Sequence, residues 1–476
     1  MTPMRSLAVA LILLAAVTSP RPLDANDTVR VLPLERFQTL RGWEVVAHFW
    51  SFETRTNRAN AEWPRNLSAV LDELVHACGI NRVRLEVRSG LENPVDYWAL
   101  WMSGDIEFAE LKRHQYETLN DNDDPGKLNP AGFQTAFFDD EVELIVLPMK
   151  ERLNARGEDL YLTVNLVDFS TKKGLLEGDL ALALDPEEYA EFIGFYFVRL
   201  RDKYGLIPDA LEVTLEPENT DHWGGKQIGM AINAVTAHLH ELGFDPAIIA
   251  PSVRDSSNAV RYYEEARRAL KDPSQISVLG YHKYDGEKLE VLRRIAETAR
   301  RDGIETAMLE LTRGGIDSLF NDLLIAQATA WQKYGIVREI VPGVKSTSDS
   351  FMLDAVLDGT NAKITPSKRG RLLCPVFSAF RQGAVRIGTQ DHGEWLRSVA
   401  VRNRDGNVAL AIRTTNAGSF DLSGLPGGTY DVVFQAEADD SVEALPQLEG
   451  DGSSGTQITV IGSGVVIVTR ADMTSR

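Results

Sequence analysis

Through the middle of the chain, short apolar runs rich in β-branched residues alternate with longer stretches whose apolar positions recur at helical spacing. The strand candidates are GWEVVAHF, INRVRLEV, LYLTVNLV, ALEVTLE, AIIAPSV, ISVLGYHKY and TAMLELT, with an eighth and least distinct one near REIVPGVKS. Between them, LSAVLDELVHACG, DPEEYAEFIGFYFVRLRDKYG, EKLEVLRRIAETARRDG and DSLFNDLLIAQATAWQKYG read as helices. That rhythm demands parallel strands joined by helical crossovers. Eight strands so spaced close into a (β/α)8 TIM barrel, and no Gly-rich dinucleotide fingerprint opens any helix. An open doubly wound sheet is the alternative architecture.

One helix carries its own end signals. Asp185 serves as N-cap, Pro186 takes the first helical position, Glu188 the capping-box position, and Gly205 stops the run. Tyr189, Phe192, Ile193, Phe195, Tyr196 and Leu200 fall on the face turned to the sheet.

From about Gly383 the period changes to that of antiparallel strands, with a hairpin turn at Arg404, Asp405, Gly406 and Asn407 and another at the GSG near the end. This predicts an appended antiparallel β-sandwich, and the strand-like TVRVLPLERFQTL is expected to pair into it. The expected organisation is residues 1–25 as a signal peptide, 26–40 as the N-terminal strand of the sandwich, 41–382 as the barrel and 383–476 as the sandwich. The signal peptide is read from Arg5 before the apolar run Leu7–Val17, which is too short to span a bilayer. A secreted or periplasmic protein with no membrane span follows.

Cys78 and Cys374 form no disulfide framework; two buried free thiols are the preferred reading, and one long-range bridge the alternative. Cys and His clusters with metal-ligand spacing are absent from the sequence, so no metal or cofactor is expected. The net charge of −19 is scattered, without a basic stripe, and this disfavours nucleic acid and anionic membrane surfaces as partners.

The segment from Ser89 to Phe138 is far longer than an ordinary βα loop and lies where barrels build substrate clefts. Its Tyr97, Trp98 and Trp101 suit stacking on sugar rings and local packing equally. Its Asp121, Asp123 and Asp124 do not match an EF-hand, and a solvated turn is preferred over a calcium site.

Glu216 and Glu310 each end a short apolar run with a Pro- or Gly-containing loop behind it, where a barrel places its chemistry. Two carboxyl groups are what glycosidic bond cleavage requires, one to protonate the leaving oxygen and one to attack the anomeric carbon. Glu216, held before Pro217, suits the acid; Glu310 suits the nucleophile. Arg84 is placed to keep Glu310 ionised, and His282 and Tyr284, two residues apart on one strand, face the nucleophile or the substrate. Glu212, Glu218 and Glu305 are nearby carboxylates that compete for the same reading.

Arg84 on strand two, Glu followed by Pro on strand four, His-Lys-Tyr on strand six and Glu on strand seven resemble the clan of retaining hydrolases on (β/α)8 barrels. QTLRGWE and FSAFRQGAVRIGT further resemble glycoside hydrolase family 30. The resemblance implies a barrel flanked by a β-sandwich built from both chain ends, acting on an oligosaccharide or polysaccharide. It also implies an Asn directly before the acid, in contact with the sugar 2-hydroxyl, where this chain has Leu215; either another group such as Asn165 or Asn219 makes that contact, or the substrate differs at that position, or catalysis is impaired. The Gly-rich first strand of the family is replaced by Trp43, Glu44 and His48, placing Trp43 at the substrate; Trp223 is a further substrate-binding candidate. A carbohydrate-binding protein that has lost turnover is the alternative, motivated by Leu215.

Overall fold

The computed structural model describes residues 27–49, 63–170, 180–285, 288–340, 350–358, 361–439 and 441–471. The signal peptide read at 1–25 lies outside the described residues.

A closed parallel barrel forms from β2 (Gly42–Val46), β3 (Arg82–Arg88), β4 (Tyr161–Val167), β5 (Ala210–Glu212), β6 (Ala247–Asp255), β7 (Ile276–Asp285), β8 (Glu305–Glu310) and β9 (Ala328–Gln332), following β1 (Thr28–Thr39). A helix follows each barrel strand, from Trp63–Asp72 after β2 to Gly370–Ala379 after β9. The helix Pro186–Tyr204 has the ends its sequence specifies: Asp185 accepts from the Glu188 N–H, and Gly205 closes it in the left-handed conformation.

The eighth strand is not near REIVPGVKS. The helix after β8 stops at Asn321, a wider π-turn runs to Ala326, and Gln327 at φ 55° reverses the chain into β9. Pairing of Ala328 with Thr306 on one side and Ala330 with Gly42 on the other closes the barrel. Val337–Glu339 instead joins a three-stranded sheet outside the barrel; residues 341–349 lie outside the described residues.

Strand alternation fills the interior in layers. Glu44 is the centre of a polar layer, accepting from Arg82 at 3.0 Å, Thr163 at 3.1 Å and Gln332 at 3.0 Å. Ala210, Ile249, Val278, Ala307, Leu309 and Ala330 form an interior apolar cluster. Outside the barrel, the buried Lys283–Asp322 pair, with Tyr281 and Trp331 also donating to Asp322, ties β7 and β9 to the turn between β8 and β9.

The appended domain is a nine-stranded, mostly antiparallel sheet that includes β1, paired antiparallel with Val385–His392 and parallel with Gly418–Ser423. All nine strands contribute to one apolar core, with Val31, Ile412, Phe420, Tyr430 and Val468 among its members. The opposite faces of Leu396–Arg402, Val408–Thr414 and Gly464–Arg470 join the barrel's core through Val399, Ala411 and Ile467.

Cys78 and Cys374 are bonded to one another, not free. The bridge joins the end of the first barrel helix to the last one, across 296 residues of sequence, at the point where the helical ring closes. Replacing both cysteines by alanine should lower unfolding free energy by about 2–5 kcal/mol, through a looser unfolded chain. Chemical denaturation will measure the loss, and thiol titration of the unreduced, denatured protein should find no free thiol.

Candidate active site

The C-terminal ends of β3, β5, β7 and β8 converge on one constellation. Arg84, fully buried on β3, donates to the Glu310 carboxylate at 2.5 Å, to Glu86 at 3.1 Å and to the Leu309 carbonyl at 3.2 Å. It also lies 3.8 Å from Glu212 at the end of β5. Glu310 closes β8 and receives a second bond, from the Tyr284 hydroxyl at 2.8 Å. His282, paired in register with Glu310, bonds the Glu216 carboxylate through Nδ1 at 3.0 Å, with Nε2 3.7 Å from Glu212. One carboxylate oxygen of Glu216, one of Glu310 and a ring nitrogen of His282 all lie within 4.8 Å of one another.

Glu216 reaches this position through an uncommon backbone. At φ 44° and ψ 61° it is left-handed, although Pro217 follows and restricts the residue before it. Such strain costs roughly 1–3 kcal/mol and persists only where the surroundings impose it. Here the Glu216 N–H donates to the Ser252 carbonyl at 3.0 Å, and its carbonyl accepts from Asn219 at 2.9 Å. Asn219 Nδ2 also donates to Glu216 Oε2 at 2.6 Å, so each carboxylate oxygen has its own partner.

The electrostatics follow from burial. Desolvation lowers the His282 ring, but hydrogen bonds to Glu212 and Glu216 and the charge of Glu310 outweigh it and push the pKa up to about 10. Burial pushes the Glu310 carboxyl up; Arg84 and His282 draw it down, and Glu216 pushes it up again. Burial and the Glu310 charge also raise the Tyr284 phenol, which therefore remains a donor. The three close groups could in principle accept a cation, but Arg84 and His282 already supply positive charge to both carboxylates.

Of the residues chosen from sequence, Glu216, Glu310, Arg84, His282 and Tyr284 come together. Asn165 lies deeper on β4, its amide 3.4 Å from the Glu212 carbonyl and its oxygen buried without a partner. Trp223 stands behind the mouth, donating at 2.8 Å to Asp168 at the end of β4. Trp43 does not join them. Alternation turns Glu44 inward and Trp43 outward, where its ring stacks on Phe377 at 4.4 Å and its N–H bonds the Phe380 carbonyl.

The competing carboxylates also separate. Glu218 accepts from the N–H groups of Arg254 and Asp255, and Glu305 pairs with Arg41 at the opposite end of β8. Glu212 forms the floor beneath Arg84 and His282. Sequence reading missed Glu86 and Asp168. Asp168 accepts from Ser89, Ser170 and Trp223 and lies 3.4 Å from His222. Burial pushes the Asp168 carboxyl up, but the hydrogen bonds from His222, Ser170 and Trp223 hold it below its ordinary range. The period-two placement of Glu86 after Arg84 was the available signal for that residue.

The aromatic residues of the long segment are engaged within it. Trp98 packs edge-on to Phe137 at 4.9 Å and bonds Asp140; Trp101 contacts Trp98 and Phe108; Tyr97 stacks on His114 at 4.0 Å. Local packing therefore accounts for them.

No protein-family model matches the chain, and no curated protein matches its sequence. Solved structures do. The catalytic domain of GH30 xylanase C from Talaromyces cellulolyticus aligns with a TM-score of 0.67 at 13% identity, covering 94% of this chain and all (100%) of that one. A GH30 endoxylanase from Clostridium papyrosolvens C71 gives 0.61 at 14% identity, covering 93% and 100%. An endo-β1,6-glucanase gives 0.62 at 14% identity, covering 93% and 94%. The chain thus has a GH30-like fold, a (β/α)8 barrel with an appended, mostly antiparallel β-sheet domain.

Proposed function

We propose that the protein is a secreted glycoside hydrolase that cleaves a β-glycosidic bond with retention of configuration, with Glu310 as nucleophile and Glu216 as acid and base. The observation that carries this reading is the approach of Glu216 and Glu310 oxygens to within 4.8 Å at the barrel mouth. Retaining enzymes hold their carboxyl groups about 5–5.5 Å apart, whereas inverting ones leave roughly 6.5–9.5 Å for a water molecule. The GH30-like fold supports the carbohydrate substrate class, and the Cys78–Cys374 bridge supports an oxidising compartment.

Glu310 takes a charge-assisted bond from Arg84 and a bond from the Tyr284 phenol, which suits it to the nucleophile's part and leaves the acid's to Glu216. In the first step a Glu310 oxygen attacks the anomeric carbon while Glu216 gives its proton to the departing oxygen. The bond to the leaving group breaks, and an ester to Glu310 forms. In the second, Glu216 takes a proton from water, whose oxygen displaces Glu310 from the anomeric carbon. Leu215 supplies no polar contact to the sugar 2-hydroxyl; Asn219, bonded to Glu216, is the amide beside the acid.

Glu216→Gln should reduce kcat by about 10²–10⁴-fold on β-linked glucan or xylan oligosaccharides. Glu310→Gln should lose at least as much, and NMR of the first product should show the β-anomer. Wild-type turnover by Glu310→Gln would remove that residue from the mechanism. Saturable binding with no product from the wild-type protein would instead identify a binding protein.

The raised His282 pKa also makes stability depend on pH. Its contribution is complete below the ordinary imidazole value near 6.5 and is lost as pH rises through about 10. Melting temperature should accordingly fall between those values, and His282→Gln should flatten the decline.

A further inference from the structure

A second group of acidic side chains sits away from the catalytic carboxylates, where the long segment after β3 meets the helix Pro186–Tyr204. Glu92 follows the turn Ser89–Leu91 and is 1% exposed; Glu188 and Glu191, on the helix, are each 4% exposed. Asp121 arrives from the segment that folds back over Glu92, with Leu119 donating to the Glu92 carbonyl at 2.8 Å. Oxygen atoms of Glu92, Asp121 and Glu188 all lie within 4.8 Å of one another.

The hydrogen bonds here shape the cluster without satisfying it. Glu92 Oε1 accepts from the Asp121 N–H at 3.1 Å, and Asp121 Oδ2 accepts from the Asn129 N–H at 2.5 Å and the Asn122 amide at 2.9 Å. Glu92 Oε2, Asp121 Oδ1 and both carboxylate oxygens of Glu191 are buried with no hydrogen-bond partner. The carboxyl groups with oxygens within 4.8 Å of Glu92 are those of Asp121 and Glu188. A helix N-terminus favours a carboxylate at Glu188, in its first turn. Burying several uncompensated carboxylates is costly enough that such groups are paired or bound to a metal.

We infer that Glu92, Asp121 and Glu188, with Glu191 beside them, form a binding site for one hard divalent cation of the calcium class. The donor set is entirely oxygen, with no His or Cys, which excludes the preferences of zinc and copper. Opposite ligands of an ion with Ca–O bonds of about 2.4 Å stand about 4.8 Å apart, so these oxygens fit around such an ion. Calcium tolerates the irregular geometry of ligands drawn from a loop and a helix, whereas magnesium demands a near-ideal octahedron. Asp121, first read with Asp123 and Asp124 as a solvated turn, thereby becomes a ligand, together with acidic residues far from it in sequence. The ion would tie the long segment to the helix following β4. Ser89, three residues before Glu92, bonds Asp168 at the barrel mouth at 3.2 Å, so the site also braces that wall.

The test uses full-length protein stripped with EDTA and exchanged into chelated buffer at constant ionic strength. Calcium chloride titrated by calorimetry should bind saturably with a stoichiometry near one, and the melting temperature should rise by several degrees, more than with magnesium. In metal-free buffer Glu92→Gln should melt no lower than the wild type, because an acidic group leaves the buried cluster, and calcium should then add little. Asp121→Asn provides the same comparison should Glu92→Gln fail to fold. Absence of saturable calcium binding, or an undiminished calcium response in the variant that folds, would overturn the inference. Activity is not the readout, so the outcome is independent of the glycosidase proposal.

Discussion

The buried guanidinium of Arg84 is the constraint on which the barrel mouth depends. A cation removed from water is tolerated only when it is paired and hydrogen-bonded, and Arg84 is fully buried. Its partners come from three strands: Glu86 from its own, Glu212 from β5 and Glu310 from β8. Removing it would take a cationic partner from all three, leaving Glu212 with His282 and Glu310 with the Tyr284 hydroxyl. His282 performs the same service from β7, between Glu212 and Glu216. Glu216 and Glu310 are thus positioned by charge pairing that stability itself requires, so the geometry of the mouth is set by the fold.

Two further features refine that arrangement. The left-handed backbone of Glu216 turns its carboxyl toward His282, and bonds to Ser252 and Asn219 hold it there. Asp168 gathers Ser89, Ser170, His222 and Trp223, linking the segments that follow β3, β4 and β5 into one wall. The long segment after β3 contributes to this wall mainly as a packed unit. Trp98 and Trp101 are buried against its own Phe137 and Phe108, and its acidic residues face the neighbouring helix.

The elements with local signals were legible. The helix 186–204 has a cap, a Pro and a terminal Gly in sequence, and each acts as that chemistry dictates. Seven barrel strands overlap the apolar runs that predict them, although β5 stops at Glu212, four residues short of Glu216. The eighth was misplaced because ATAWQ lies inside a run whose apolar spacing also satisfies a helix. Only the need to bridge β8 and β2 reveals its period of two, with Ala330 and Gln332 turned inward. Trp43 failed for a related reason: a barrel strand is buried on both sides, so composition did not say which neighbour faces the interior.

By itself, the sequence determined the barrel rhythm, the appended strands, and the positions of Glu310 at the end of its strand and of Glu216 in the loop after its own, because strand period, turn residues and helix caps act over a few neighbouring residues. The tertiary structure alone decided that Cys78 bonds Cys374, that Ala328–Gln332 closes the barrel, and that Glu212 lies beneath the site while Glu305 lies at its far end. It also decided that Glu92 and Glu188 share a pocket with Asp121. These outcomes arise from contacts between residues tens to hundreds of positions apart, whose proximity exists only once the barrel has closed.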